Sequence, residues 1–265
     1  MMTMMAMARV MTAGLLITVF AAPVAAQAPP STPQKKPTAV KRAPGRGFIA
    51  INAGTQVAAS DFTDDFTVVA NAEDGTIQAT YPSTTPLLFD GSAGYRFWGR
   101  VGVAVGGSHT SSSGSVAVRA SVPHPFMLDH DRLVEGEARN VARTESAAHL
   151  QLFYEMMPRG KWRARFFAGP SYFAVSQDLV ANVSVIESYP FDTATFGTAL
   201  TESSDGSAIG FNLGADIAWM FSRRTGAGLL ARYAGASVDL NAPASRNVST
   251  DAGGFQVGAG LRFLF

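Results

Sequence analysis

The feature that most constrains this chain is a two-residue hydrophobic period that returns in block after block, each about 9–12 residues long. Its clearest instance is GGFQVGAGLRFLF, Gly253–Phe265. Phe255, Val257, Ala259, Leu261, Phe263 and Phe265 fall on one side of that segment, and Gln256, Gly258, Gly260 and Arg262 on the other. Successive side chains of a strand point to opposite faces, so the pattern predicts a strand that is apolar on one face and small or polar on the other. A final strand that is apolar to its last residue has no room for the polar, frayed tail common in soluble domains.

Seven further segments repeat the pattern. Phe48–Gln56 sets Ile49, Ile51, Ala53 and Thr55 against Asn52, Gly54 and Gln56, and Leu87–Phe97 sets Phe89, Ala93, Tyr95 and Phe97 against Asp90, Ser92, Gly94 and Arg96. Arg100–His109 and Ala148–Met156 alternate in the same way, the second placing His149, Gln151, Phe153 and Glu155 on its polar side. Trp162–Ala174 carries Arg163 and Arg165 opposite Trp162 and Phe166, with Pro170 inside the run; a bulge is the expected accommodation, because proline cannot donate to a central ladder. Gly210–Phe221 opposes Leu213, Ile217 and Trp219 to Asn212 and Asp216, and Thr225–Val238 opposes Leu229 and Tyr233 to Gly228 and Arg232. The turns at Trp98–Gly99, Met157–Lys161 and Ser222–Arg224 are tight, whereas the remaining connections are long and polar. No run of apolar residues after Gly47 reaches the length of a spanning helix.

The composition of the faces decides what lies outside. Charged residues make up only 15% of the chain, and no lysine occurs in the eight segments. A solvent-facing side would carry dense Lys, Glu and Thr, but the polar faces here are Gly, Ala and Ser with isolated charges. That suits the cramped interior of a narrow barrel, whose eight strands enclose just enough space for side chains. The predicted fold is therefore all-β, an eight-stranded antiparallel transmembrane up-and-down barrel. Its lumen holds Asp90, Arg96, Glu155, Arg163, Arg165, Asp216, Arg232 and Arg262 as a charge network. An arginine turned instead to the lipid midplane would cost about 2–4 kcal/mol, and a one-residue slip would turn them all. Aromatics such as Tyr95, Trp98, Trp162, Trp219 and Phe263 gather beside the short turns, as an interfacial girdle does. In hydrocarbon every backbone polar group needs a partner, so the first and last strands are expected to pair.

With this pattern laid out, the chain resembles the small outer-membrane β-barrel proteins of Gram-negative bacteria, of OmpA/OmpX and opacity-porin type, over Gly47–Phe265. The C-terminal assembly signal of that family is matched by Gly260, Phe263 and Phe265; Gly258 stands where the family prefers a polar residue. The resemblance implies recognition of the last strand by the barrel-assembly machinery, and contact with outer-membrane lipid and lipopolysaccharide.

The N-terminus reads as an export signal. Arg9 precedes an apolar core from Val10 to Ala22, and VAA at Val24–Ala26 supplies small residues for cleavage, giving a signal peptide over 1–26. Residues 27–46 are rich in proline and basic residues and read as an extended periplasmic linker, leaving 47–265 as the barrel domain. The chain has no cysteine, so disulfides and thiol chemistry are excluded. A net charge of +1 gives no support to nucleic-acid binding.

The connections hold titratable groups without an established ligand spacing: His124, Asp129, His130, Asp131, Glu135 and Glu137 in one, and the acidic run Asp61–Asp65 in another. These read as polar loop residues, His149 as a hydrogen-bonding lumen residue, and His109 as a group near a strand end. No cofactor, metal or catalytic residue is assigned. The expected role is structural or surface-interacting, non-enzymatic, in the cell outer membrane, with long loops presenting a surface to an extracellular ligand. A small porin and a lipid-modifying membrane enzyme are the alternatives, and a soluble lipocalin-like carrier is a third.

Overall fold

The computed structural model describes residues 45–58, 61–243 and 246–265. The expected signal segment and all but the last two residues of the expected linker lie outside them. Ten strands are formed among the described residues: β1 Gly47–Ala58, β2 Phe62–Ala70, β3 Glu73–Tyr81, β4 Leu87–Trp98, β5 Val101–Pro123, β6 Asp131–Glu155, β7 Trp162–Glu187, β8 Ala194–Met220, β9 Thr225–Ala242 and β10 Arg246–Leu264.

Eight of these close a ring, β1–β4–β5–β6–β7–β8–β9–β10 and back to β1, with every pairing antiparallel. The seam runs from Phe48 opposite Leu264 to Ala58 opposite Gly254. It is finished by reciprocal backbone bonds, Gly47 N–H to the Phe265 carbonyl at 2.9 Å and Phe265 N–H to the Gly47 carbonyl at 3.0 Å. The last strand is thus the closing stave of the barrel, and Phe265 lies at the rim. The other two strands, β2 and β3, form a hairpin outside the ring, zipped onto β5 through Thr76–Thr80 against Ala117–Ser121.

The long polar connections expected as loops are mostly strand. β5 to β8 are 23 to 27 residues long, whereas a tilted strand crosses a bilayer in about 9–11. Between ring strands at that end, 124–130 joins β5 to β6 and 188–193 joins β7 to β8. The reason is an inversion of the amphipathic pattern partway up the longer strands. On β10 the outward row changes from Phe255, Val257, Ala259, Leu261 and Phe263 to Asp251, Ser249 and Asn247. Its inward row changes in the opposite sense, from Gln256, Gly258, Gly260 and Arg262 to Ala252, Thr250 and Val248. On β7, Arg163, Arg165 and Ser171 point inward below, and Phe173, Val175 and Leu179 point inward above. The lower half therefore has its hydrocarbon outside, and the upper half has it inside, as in a protein that faces water.

Two packed regions follow from the inversion. The upper one is an apolar core that includes Phe173, Leu179, Val238, Leu240, Val118 and Tyr81, drawn from β3, β5, β6, β7, β9 and β10. The lower one is small, a layer of Phe48, Phe153, Phe167 and Leu230 within the polar lumen. Around the lower half runs a belt of exposed apolar side chains, Ile51, Val103, Leu152, Leu213, Leu229 and Leu261 among them. Its short-turn end carries Tyr95, Trp98, Tyr154, Trp162, Trp219 and Phe265.

Pro170 sits inside β7 without a bulge. The β6–β7 register is the same on both sides of it, but no pairing forms between His149–Ser171 and Leu152–Ala168. On its other side Pro170 keeps its place opposite Phe211. The ladder opens where the missing N–H would have been. The Asn212 side chain reaches into this stretch from the lumen and donates to the Gly169 carbonyl at 3.0 Å and to Ser171 Oγ at 2.8 Å.

Candidate functional site

The lumen below the apolar core is densely polar. Its eight sequence-assigned charges all point inward, and the structure brings them into ion pairs. At the short-turn end Glu155 takes Arg96 on one carboxylate oxygen at 2.7 Å and Arg163 on the other at 2.8 Å. One layer higher, Asp216 accepts from Arg165, its cross-strand neighbour, and from Arg262 through Nε at 2.9 Å and Nη2 at 2.5 Å. Higher still, Asp90 on β4 pairs with Arg232 on β9 at 2.9 Å, reaching across the lumen past β1 and β10. Arg165 also lies 3.5 Å from the centre of the Phe48 ring, so its planar face is covered by an aromatic while its edge meets carboxylate.

The sequence reading missed the upper continuation of this network. Asn52 donates to Asp90 at 2.8 Å, Arg232 Nε donates to Gln256 at 2.6 Å, and the Gln256 amide donates to Gln56 at 2.5 Å. Gln56 in turn donates to Glu145 at 2.9 Å, and Glu145 accepts from Arg143 Nε at 2.8 Å. Asn52, Gln56 and Gln256 were legible as inward residues, since they lie on the polar faces. Arg143 and Glu145 lie in what reads as a loop, and nothing in the spacing points to them. His149 is buried between Ser108 Oγ at 3.0 Å and Ser171 Oγ at 2.7 Å.

The filling leaves little space. Two voids in the lower lumen measure about 20 Å³ each, one beside Glu155 and Arg163 and one beside Asp90 and Arg232. A void of that size has room for about one water. Above them the lumen is closed by the apolar core.

The C-terminal signal residues occupy the seam. Phe263 and Phe265 point outward in the belt, and Gly260 faces inward opposite Asn52. A Cβ built on Gly260 would come within 1.8 Å of the Ile51 carbonyl oxygen, so β1 approaches too closely for any side chain there.

The titratable groups of the long connections are placed differently from the sequence expectation. Asp64 and Asp65 belong to β2 and not to a loop; Asp64 pairs with Arg246 at 3.1 Å, and Asp61 accepts from Ser83 N–H at 2.6 Å. Burial raises the Asp64 carboxyl above its ordinary value, and the Arg246 charge opposes that rise. Glu135 and Glu137 lie on the outer face of β6, where Glu135 pairs with Arg119 at 2.9 Å. His124 caps the β5–β6 turn, its Nδ1 accepting from Phe126 N–H and Met127 N–H, both at 3.1 Å. Among the described residues no group of three or more His, Cys, Asp or Glu converges as metal ligands do. His109 is exposed on β5 beside Ser146 at 3.0 Å.

No protein-family model matches the chain, and no curated protein matches it in sequence. Among solved structures it is similar to the outer membrane protein OprG from Pseudomonas aeruginosa, at 13% identity over 83% of this chain and 97% of that one, with a TM-score of 0.44. Neisserial surface protein A is similar at 14% identity over 83% and 97%, with a TM-score of 0.40. The outer membrane protease OmpT from Escherichia coli is similar at 10% identity over 86% and 99%, with a TM-score of 0.47. The fold assignment rests on the strand ring and its belt rather than on these likenesses. With eight antiparallel strands closed on themselves, hydrocarbon outside and ion pairs within, the chain is an outer-membrane-type β-barrel of the small, eight-stranded kind.

Proposed function

We propose that this protein is a closed, non-enzymatic outer-membrane barrel that holds a folded head above the membrane as a structural and surface-interaction element. The observation that carries this reading is the filling of the barrel: ion pairs occupy the lower lumen and an apolar core caps it. A solute channel needs a continuous aqueous path, and a hydrolase needs a nucleophile, a base and room for substrate. The inward charges here are spent on one another. Short turns face the periplasm and long hairpins face outward in barrels of this kind, which puts the head outside the cell. Gly260, Phe263 and Phe265 would serve recognition by the barrel-assembly machinery, and the belt would meet outer-membrane lipid and lipopolysaccharide.

Two measurements test the reading. Reconstituted in planar bilayers, the purified protein should leave the membrane sealed; reproducible unitary conductance steps would favour the porin alternative and refute the closed barrel. On intact cells, a cysteine introduced at Ser113 on the outer face of the head should react with a membrane-impermeant maleimide. Labelling only after the outer membrane is breached would refute surface display.

A further inference from the structure

The tip of the head carries an apolar platform that the barrel does not need. Phe126 and Leu128 in the β5–β6 turn and Tyr189 in the β7–β8 turn are 75%, 78% and 85% exposed. Phe191 bridges the two turns, with its ring 5.4 Å from that of Phe126 and 6.2 Å from that of Tyr189. These side chains lie well above the belt, so lipid of the protein's own membrane does not cover them.

The platform is also held in place. Arg132 is buried beneath it and ties the two turns together, donating to Glu187 at 2.6 Å, to the Phe191 carbonyl at 2.9 Å and to the Pro123 carbonyl at 3.0 Å. His124 fixes the β5–β6 turn through two backbone N–H groups and a backbone bond to the His130 carbonyl at 2.9 Å. A chain that folds its turns around a buried guanidinium and still presents aromatic rings to water has a preorganised contact surface.

The rim specifies the partner's charge. Glu73, Asp74, Asp129 and Asp131 line one open cleft at the foot of the platform, where the β2–β3 hairpin meets the β5–β6 turn through an Asp129 N–H bond to Glu73 at 3.0 Å. Asp192, in the β7–β8 turn, lies 3.9 Å from the buried His124 Nε2 and is exposed. An apolar centre with a carboxylate rim complements a cationic amphipathic polypeptide and repels an anionic bilayer.

We propose that this tip docks a cationic amphipathic polypeptide segment, apolar side chains on the aromatic platform and Lys or Arg on the carboxylate rim. The proposal rests on the surface-interaction reading above, naming its site and partner class.

The test uses full-length protein in zwitterionic nanodiscs, with binding to empty nanodiscs subtracted. The probes are three fluorescent 15-residue peptides: Lys/Leu at helical spacing, Lys/Ser at the same positions, and Glu/Leu. Saturable binding of the Lys/Leu peptide is expected, weakened at least tenfold in F126S/L128S and at least fivefold in D129N/D131N/D192N. These side chains are exposed, so both variants should keep the heat-dependent gel mobility of the wild type. Wild-type binding no greater than that of empty nanodiscs overturns the proposal, as does undiminished binding by both variants. Equal binding of the Glu/Leu peptide, or Phe126-dependent attachment to zwitterionic vesicles, overturns it in favour of plain apolar or lipid contact. Because the maleimide test on intact cells is separate, a tip that is displayed but does not bind sinks this proposal alone, and a tip that is not displayed sinks the reading beneath it.

Discussion

Replacing Asp216 with alanine tests the lumen network at its most connected point. The carboxylate is buried and accepts from two guanidinium groups, Arg165 on the neighbouring strand and Arg262 two strands away. Its removal strips Arg262, which is 1% exposed, of three hydrogen bonds and leaves it the Leu261 carbonyl at 3.1 Å. Two like charges then share a low-dielectric layer with no counter-ion between them. Breaking a buried pair from one side costs about 3–5 kcal/mol, because the orphaned charge stays buried. Total stability is commonly about 5–15 kcal/mol, so the folded-to-unfolded ratio should fall by about two to three and a half decades. Asp216→Asn, which keeps shape and one acceptor, should lose less. The triple variant D216L/R165M/R262M should recover most of the loss, since an apolar layer of similar volume needs no counter-charge. Equilibrium urea unfolding in phospholipid vesicles, read by tryptophan fluorescence and by gel mobility without boiling, measures each step. If D216A stayed within about 0.5 kcal/mol of wild type, or if the triple variant were the least stable of the set, the reading of the lumen as mutually compensating buried charge would be wrong.

The remaining predictions probe the two halves and the head. Leu213→Arg, near the middle of the belt, should cost about 2–4 kcal/mol in vesicle unfolding, while Ser207→Arg on the same outward row above the belt should cost almost nothing. Val238→Asp should open the head to added protease by burying an unpaired carboxylate, whereas the neighbouring outward Ser237→Val should stay within about 0.5 kcal/mol. Burial pushes the Tyr81 hydroxyl up to about 12, with the Val180 N–H bond at 2.8 Å opposing the rise. A phenol with its folded value above its unfolded one keeps its full contribution below about pH 10 and loses it as pH climbs to about 12, a fall of roughly 2–3 kcal/mol. Denaturant midpoints of the head measured across pH 9–12 should show that fall in wild type and not in Tyr81→Phe.

What could be read from the residues in order was the local alternation and its consequences. The inward row of each lower strand, from Asn52 and Asp90 to Asp216 and Arg262, follows from a period of two, because one turned arginine is already too costly in lipid. Closure by Phe255–Phe265 follows as well, since unpaired backbone has no place in hydrocarbon. The upper half was not legible. From Phe173 and Val238 onward the apolar row exchanges sides with the polar one, and a segment that is apolar inside and Ser-, Asp- and Thr-rich outside reads, without knowledge of where the membrane stops, as a polar loop. Nor could spacing pair Asp90 with Arg232 or Asp216 with Arg262, because those contacts cross the lumen and depend on the stagger of the strands around the ring. The sequence alone determined which way each lower side chain points, since that is a property of the strand itself. Only the tertiary structure decided what each inward group meets and where water replaces lipid outside, because both depend on how far each strand has slid past its neighbours when the barrel closes.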